Sequence, residues 1–153
     1  MEEKTEKNEI SLRLFQSKDY FKILEVEKDG FGPLLANLPE ITLSLFLSLL
    51  FGFVHVVELN DDIIGAVFTF KFTDFAYLCN AVILTPFRNK HYALGIGREL
   101  LVDLKNRGLK LLTALVQENN IPSLKMTGNL GFRIRNYINL PILGRTAIIF
   151  KWL

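Results

Sequence analysis

The residues best suited to chemistry stand in two stretches. Leu84-Thr-Pro-Phe-Arg-Asn-Lys-His-Tyr-Ala-Leu-Gly-Ile-Gly97 leaves an apolar run, crosses a loop and enters a helical pattern, and Asn120-Ile-Pro-Ser-Leu-Lys-Met-Thr-Gly-Asn-Leu-Gly-Phe132 opens a second helix farther on. A helix start carries backbone N–H groups without intrahelical partners and the positive end of the helix dipole, so a strand, a glycine-containing loop and a helix together can hold a pyrophosphate without a metal. Gly95 and Gly97 allow close backbone approach, and Arg88, Lys90 and Arg98 offer charge-assisted contacts to phosphate oxygens. A Gly-x-Gly before a helix is also ordinary turn chemistry. The dinucleotide fingerprint is not met, because Leu100 stands where a third small residue belongs. A nucleoside-triphosphate loop would need Gly-Lys-Ser/Thr where Gly97-Arg98-Glu99 stands.

Those stretches must be positioned by the elements around them. Glu9 to Phe15 reads as a strand, and Ser17 as the N-cap of a helix with Phe21 and Leu24 on its inner face, reaching Gly30. Gly30, Gly32 and Pro33 break the pattern; Asn37 and Pro39 start a second helix that Gly52 ends. Phe53 to Leu59 and Ile63 to Phe72 are strands joined by the Asn60-Asp61-Asp62 turn, and a third strand, Phe75 to Leu84, stops at Pro86. Ile96, Leu100, Leu101 and Leu104 give the next helix its apolar stripe, closed by Arg107-Gly108. Lys110 to Val116 is a strand, the helix from Asn119-Asn120 closes at Leu130-Gly131, and strands Phe132 to Ile138 and Arg145 to Trp152 complete the chain. The order β, α, α, β, β, β, α, β, α, β, β predicts an α/β sandwich on a mixed sheet.

Composition narrows the function classes. The 153 residues suit one domain, 1–153, with the polar residues 1–8 as a frayed tail. Half of them are apolar and Gly plus Pro total 15, which excludes disordered and collagen-like classes. A net charge of +2 is too small for a dedicated nucleic-acid binder. The single cysteine, Cys79, cannot form an internal disulfide, and no Cys/His cluster offers a metal site, so a reducing, cytoplasmic setting is expected. Mid-strand, Cys79 reads as a small buried hydrophobe. Ile41 to Val57 lacks formal charge but is interrupted by Thr42, Ser44, Ser48, Gly52 and His55, which favours a buried helix followed by a strand over a membrane span.

Four features in order, Ile63-Ile64-Gly65, Leu84-x-Pro86, Gly95-x-Gly97 and Asn120-x-x-Ser123 running into Gly131-Phe132, make the chain resemble the GNAT superfamily of acetyl-CoA-dependent N-acetyltransferases; the detailed match covers residues 58 to 132. The resemblance implies an α/β (α+β) fold, a mixed, mostly antiparallel central sheet with helices on both faces. It implies acetyl-CoA as co-substrate and no metal. Backbone at Val82, Ile83 and Leu84 would line the acetyl group and pantetheine. The segment Tyr92, Ala93, Leu94, Gly95, Ile96, Gly97, with Arg88 and Arg98 beside it, would bind the pyrophosphate, and Asn120 and Ser123 would contact the pantetheine arm. The amine acceptor would enter opposite the cofactor, over Asp29 to Asn37 and the hairpin of the second and third strands.

Departures from the family pattern bear on the chemistry. Tyr92 stands where relatives usually place Arg or Gln, and the distance from Pro86 to Gly95 is longer than usual. Thr127 occupies the place of a tyrosine general acid, and Leu115 that of a glutamate base. Glu58, Glu118 and His55 remain as base candidates; equally, Glu58 reads as a solvated strand-end charge, Glu118 as a helix-start charge and His55 as a core side chain. A lysine amine of pKa about 10.4 is neutral to roughly 1 part in 2,500 at pH 7, a handicap near 4.6 kcal/mol, whereas an α-amine near 7.8 is about one-seventh neutral. Weak base machinery therefore favours an α-amine or small-molecule amine. The alternative is a catalytically weak CoA-binding sensor or regulatory module. A third reading makes the Phe-rich helix Ile41 to Phe51 a partner or membrane surface, and a homodimer is a separate expectation.

Overall fold

The computed structural model describes residues 10–35, 38–88, 91–141 and 143–153; the expected tail 1–8, Glu9, Asn37 and Lys90 lie outside them. In chain order the elements are β1 (Ile10–Leu14), α1 (Tyr20–Leu35), α2 (Leu38–Phe51), β2 (Gly52–Leu59), β3 (Asp62–Lys71), β4 (Phe75–Ile83), α3 (Tyr92–Asn106), β5 (Leu111–Gln117), α4 (Ile121–Asn129), β6 (Arg133–Leu140) and β7 (Gly144–Trp152). The seven strands form one sheet ordered β1-β2-β3-β4-β5-β7-β6, antiparallel throughout except for β4 against β5. Asn60 and Asp61 both take positive φ, +50° and +69°, which is the two-residue turn that follows the twist of a hairpin.

Apolar periodicity decides which face each helix covers. Ile23, Val26 and Leu45 of α1 and α2 pack with Val54, Val56, Ala66 and Phe68 on one face of the sheet. Leu100 and Leu104 of α3 pack with Val67, Ala76 and Leu112 on the other, and Ile96 joins Val57 and Ile64 there. Leu124 of α4 closes a smaller cluster of Ala114, Val116, Ala147 and Ile149. The stretch Ile41 to Val57 is divided between α2 and β2, and no described helix is long and apolar enough to cross a membrane.

The first helix departs from its expected form in three ways. It does not stop at Gly30 but runs through Gly32 and Pro33 to Leu35. A Cβ at Gly30 would overlap the Val82 side chain, so glycine lets α1 lie directly on β4. Pro33 has no N–H for the Asp29 carbonyl one turn back, and the Arg88 Nη2 donates to that carbonyl at 3.4 Å. The start is built by Gln16 rather than Ser17: the Gln16 N–H donates to Asp19 Oδ2 at 2.7 Å, and a 3₁₀ turn over Ser17–Asp19 leads into α1. Phe21 is 77% exposed, because at about 100° per residue the buried stripe set by Ile23 and Val26 turns Phe21 outward; Leu24 is buried as expected.

Candidate functional site

The one parallel pairing in the sheet is also incomplete. β4 pairs with β5 from Phe75 opposite Leu111 to Leu78 opposite Ala114, while β4 continues to Ile83 and β5, still paired with β7, to Gln117. The two strands therefore part beyond Leu78 and Ala114. A bulge lies at the point of parting: Phe68 of β3 faces Asn80 and Thr69 faces Leu78, so Cys79 is the extra residue. Bulges bend a strand, and this one turns β4 away from β5.

Alternation along β4 then decides which backbone groups face the gap. The Leu84 N–H donates to the Ile64 carbonyl at 2.8 Å, so Leu84, and Val82 two residues before it, direct their backbone groups to β3. Ile83 and Ala81 are turned the other way. The Ile83 carbonyl accepts from Arg88 Nε at 2.7 Å, and Ala81 is exposed. Of the expected trio Val82, Ile83 and Leu84, Ile83 alone aims its amide into the gap. Ala81, which the sequence reading missed, joins it; its signal was the same period of two, once the Leu84 partner is known.

The start of α3 lies beyond the end of β4. His91, the N-cap, has φ +62° and ψ +4°, a left-handed residue followed by helix, which is backbone geometry that curls successive amides into a concavity. Tyr92, Ala93 and Leu94 carry the first-turn amides that have no intrahelical acceptor, whereas the amides of Gly95, Ile96, Gly97 and Arg98 turn back into the helix. Of the residues 92 to 98 expected to grip a diphosphate through their amides, only those of the first turn have amides free of the helix. The two glycines separate as well. A Cβ at Gly95 would meet nothing within 4 Å, so that surface is open, while one at Gly97 would overlap Leu130 beyond α4. Gly97 lets α3 and α4 pack; Ile96 is buried against Val57 and Ile64, and Tyr92 packs on the same cluster. Arg98 is exposed. Arg88 is committed to Asp29, 3.1 Å from its Oδ2, and to Ile83.

Asn120, Thr127, Glu118 and Glu58 are engaged in structure, and Ser123 takes part through its backbone. Asn120 caps α4 by accepting the Ser123 N–H at 3.2 Å, and Thr127 Oγ1 donates back to the Ser123 carbonyl at 2.8 Å, so its proton is in use. Glu118, half exposed, accepts from Arg145 Nε at 3.1 Å. Glu58 accepts from Arg13 Nε at 2.8 Å on β2, with β3 between it and β4. Arg13 also binds Asp19 and holds that carboxyl below the usual carboxylate range. His55 is buried beneath α3 with Nε2 2.8 Å from Asp103 Oδ2; burial pushes its pKa down, so the neutral ring donates through Nε2. No group of metal-ligating side chains occurs among the described residues.

One polar cluster was not anticipated. Glu27 of α1 is fully buried, its Oε2 accepts from Asn80 Nδ2 at 2.8 Å, and burial pushes its pKa up to about 7 against the opposing pull of that bond. Beside Asn80 the Cys79 thiol donates to the Phe68 carbonyl at 3.2 Å and lies 3.8 Å from Ser48 Oγ of α2; burial raises its pKa, which suits an inert side chain rather than a nucleophile. The signal for Glu27 was in the stripe: positions 23, 26, 27 and 30 share one helical face. As a whole, the arrangement can hold an extended chain between two parted strands and an anion on the first turn of α3.

Residues 20–132 match the family described as "Acetyltransferase (GNAT) family". No curated protein matches the chain in sequence. Among solved structures, the ribosomal-protein-S18-alanine N-acetyltransferase from Escherichia coli superposes with a TM-score of 0.81 at 14% identity, covering 94% of each chain. The ribosomal-protein-alanine N-acetyltransferase from Brucella melitensis gives 0.76 at 15% identity over 94% of this chain and 99% of that one. A GNAT family acetyltransferase from Elizabethkingia anophelis with acetyl-CoA bound gives 0.74 at 15% over 94% and 98%.

Proposed function

The chain belongs to the acetyltransferase (GNAT) family, and from that premise we propose that it transfers an acetyl group from acetyl-CoA to a primary amine, an α-amine or small-molecule amine in preference to a lysine side chain. The observation that carries this reading is the gap between β4 and β5 with the first-turn amides of α3 at its end. The α3 amides and the open surface at Gly95 suit the diphosphate; the gap suits the extended arm; the Ala81 and Ile83 amides are donors for the thioester oxygen as negative charge develops on it.

Acetyl-CoA supplies the activated acetyl group, and the chain supplies position. The amine arrives from the face covered by α1 and α2, opposite α3, so that both reactants are held in one complex. Its nitrogen attacks the carbonyl carbon, the C–S bond breaks, the departing sulfur, with a thiol pKa of about 8.5, leaves as thiolate without needing an acid, and the proton lost from the nitrogen passes to solvent or to that thiolate. Thr127, whose proton goes to Ser123, is then not missed. The preference for an α-amine rests on the proton balance: Glu58 and Glu118 are both ion-paired, so the acceptor best suited is one already partly neutral. Two of the structurally similar proteins are named as ribosomal-protein-alanine N-acetyltransferases, in keeping with that preference.

Calorimetric titration with acetyl-CoA, followed by thiol release with a panel of α-amines, small amines and lysine peptides across pH, tests the reading. Saturable binding and faster turnover of α-amines or small amines are expected; a clear preference for lysine side chains would reject the acceptor class. The engaged state of Thr127, Glu58 and Glu118 also favours a second reading, a CoA-binding regulatory module, which acetyl-CoA binding with no turnover of any amine would establish. The surrounding is proposed to be the cytoplasm. Leu43, Phe46, Leu50 and Phe51 leave one side of α2 exposed and apolar, and a homodimer is proposed to pair through it.

A further inference from the structure

Glu27 is sealed from water without a full set of partners. Its Oε2 takes one N–H of Asn80, and its Oε1 is buried with no partner among the described residues. An apolar side chain of similar volume would suit the core between α1 and β4 better, and polar groups that break a packing rule in this way concentrate at functional sites. The position fits such a role. Asn80 directly follows the bulged Cys79 and lies just past the last β4–β5 pair, so it stands at the mouth of the gap on the side of α1 and α2. Asn80 itself is only partly buried, and so reaches from Glu27 toward the open side.

The two ends of the Asn80 amide are not equivalent. A carboxylate accepts only, so an ionised Glu27 binds the NH₂ end and leaves the amide oxygen directed away. A protonated Glu27 can donate as well, and then either end of the amide fits. We propose that Glu27 is a positioning residue for the acceptor: its ionised carboxyl fixes Asn80 so that the amide oxygen meets the N–H of the incoming amine at the gap. This rests on the acetyl-transfer reading, since the amine is what Asn80 would meet.

Among the described residues, Glu27 titrates without a charged neighbour of its own. From β4 it faces the Cys79 thiol, kept neutral by burial, and from α2 the neutral Ser48 that contacts that thiol. Ile23 and Val26 on its own helix and Val54, Val56 and Phe68 from β2 and β3 are apolar. Asp29 is turned to Thr85 and Arg88 on the exposed side. Burial places the Glu27 transition at about 7, so the amide is locked above that pH and free to turn below it.

The test compares wild type with Glu27→Gln, which keeps the shape and cannot ionise. With acetyl-CoA saturating and one amine used throughout, the wild-type amine KM relative to that of the variant should rise about twofold as pH falls through 7 and then level off, because a freed amide still presents its oxygen about half the time, with acetyl-CoA Kd alike in both. An identical KM profile in the two proteins would overturn the proposal. The Asn80 side-chain amide resonances, followed by NMR, give a readout independent of turnover: they should titrate near pH 7 in wild type and stay flat in Glu27→Gln, and a flat wild-type signal would overturn the proposal. A titrating signal in a protein that acetylates no amine would support the Glu27–Asn80 coupling and reject the acetyl-transfer reading instead.

Discussion

Single residues in this chain act through partners far away in sequence. Glu27 has a pKa raised from 4.5 to about 7 by burial, so the folded state holds a proton that the unfolded chain releases. Its contribution to stability is full below pH 4.5 and is lost as pH rises toward about 7, an effect of at most about 3 kcal/mol. Denaturant unfolding at pH 5 and pH 8 should therefore show Glu27→Gln gaining stability relative to wild type at the higher pH; a gain equal at both would mean that the carboxyl does not titrate in this range. Arg88 makes a second case. Its guanidinium already faces Asp29 and the Ile83 carbonyl, so Arg88→Ala should cost about 1 kcal/mol of stability and leave the salt dependence of acetyl-CoA binding as it is in wild type. A shallower salt dependence in the variant would instead assign the side chain to phosphate.

At the scale of elements, the bulge in β4 and the start of α3 together make the proposed site, and the two glycines of α3 stand in different surroundings. Gly95 borders open space, so Gly95→Leu should weaken acetyl-CoA at least about tenfold while the melting temperature moves by no more than about 2 °C, the scatter expected of surface changes. Gly97 faces Leu130, so Gly97→Leu should overpack α3 against α4 and cost about 1–3 kcal/mol, several degrees in a chain of this length, before any loss of binding is counted. Equal thermal effects from the two would refute the division. On α4, Asn120→Ala removes the cap that accepts the Ser123 N–H and should cost about 1 kcal/mol, read as a lowered unfolding midpoint.

For the molecule as a whole, α1 and α2 cover one face of the sheet and α3 and α4 the other, and the proposed reading places the carrier on the side of α3 and the acceptor on the side of α1 and α2. The exposed side of α2 belongs to this scale too: sedimentation should detect pairs of chains, and Phe46→Glu with Leu50→Glu should return monomers, whereas a monomeric wild type would remove the proposed pairing. Much of this architecture is legible from neighbours in sequence. The hairpin at Asn60-Asp61, the cap at Asn120, the stripe of α3 and the element order each follow from residues within a few positions of one another, because turns, caps and periodicity are local physics. What depended on distant contacts was not. The continuation of α1 past Gly30 and Pro33 required Val82 and Arg88; the division of labour between Gly95 and Gly97 required Leu130; and the engagement of Glu58 and Glu118 required Arg13 and Arg145. Sequence alone determined that a strand, a turn and the start of a glycine-bearing helix follow one another across residues 75 to 97. Only the folded chain decided which amides remain free and which carboxyl is buried, because burial and hydrogen-bond partnership are properties of neighbours in space.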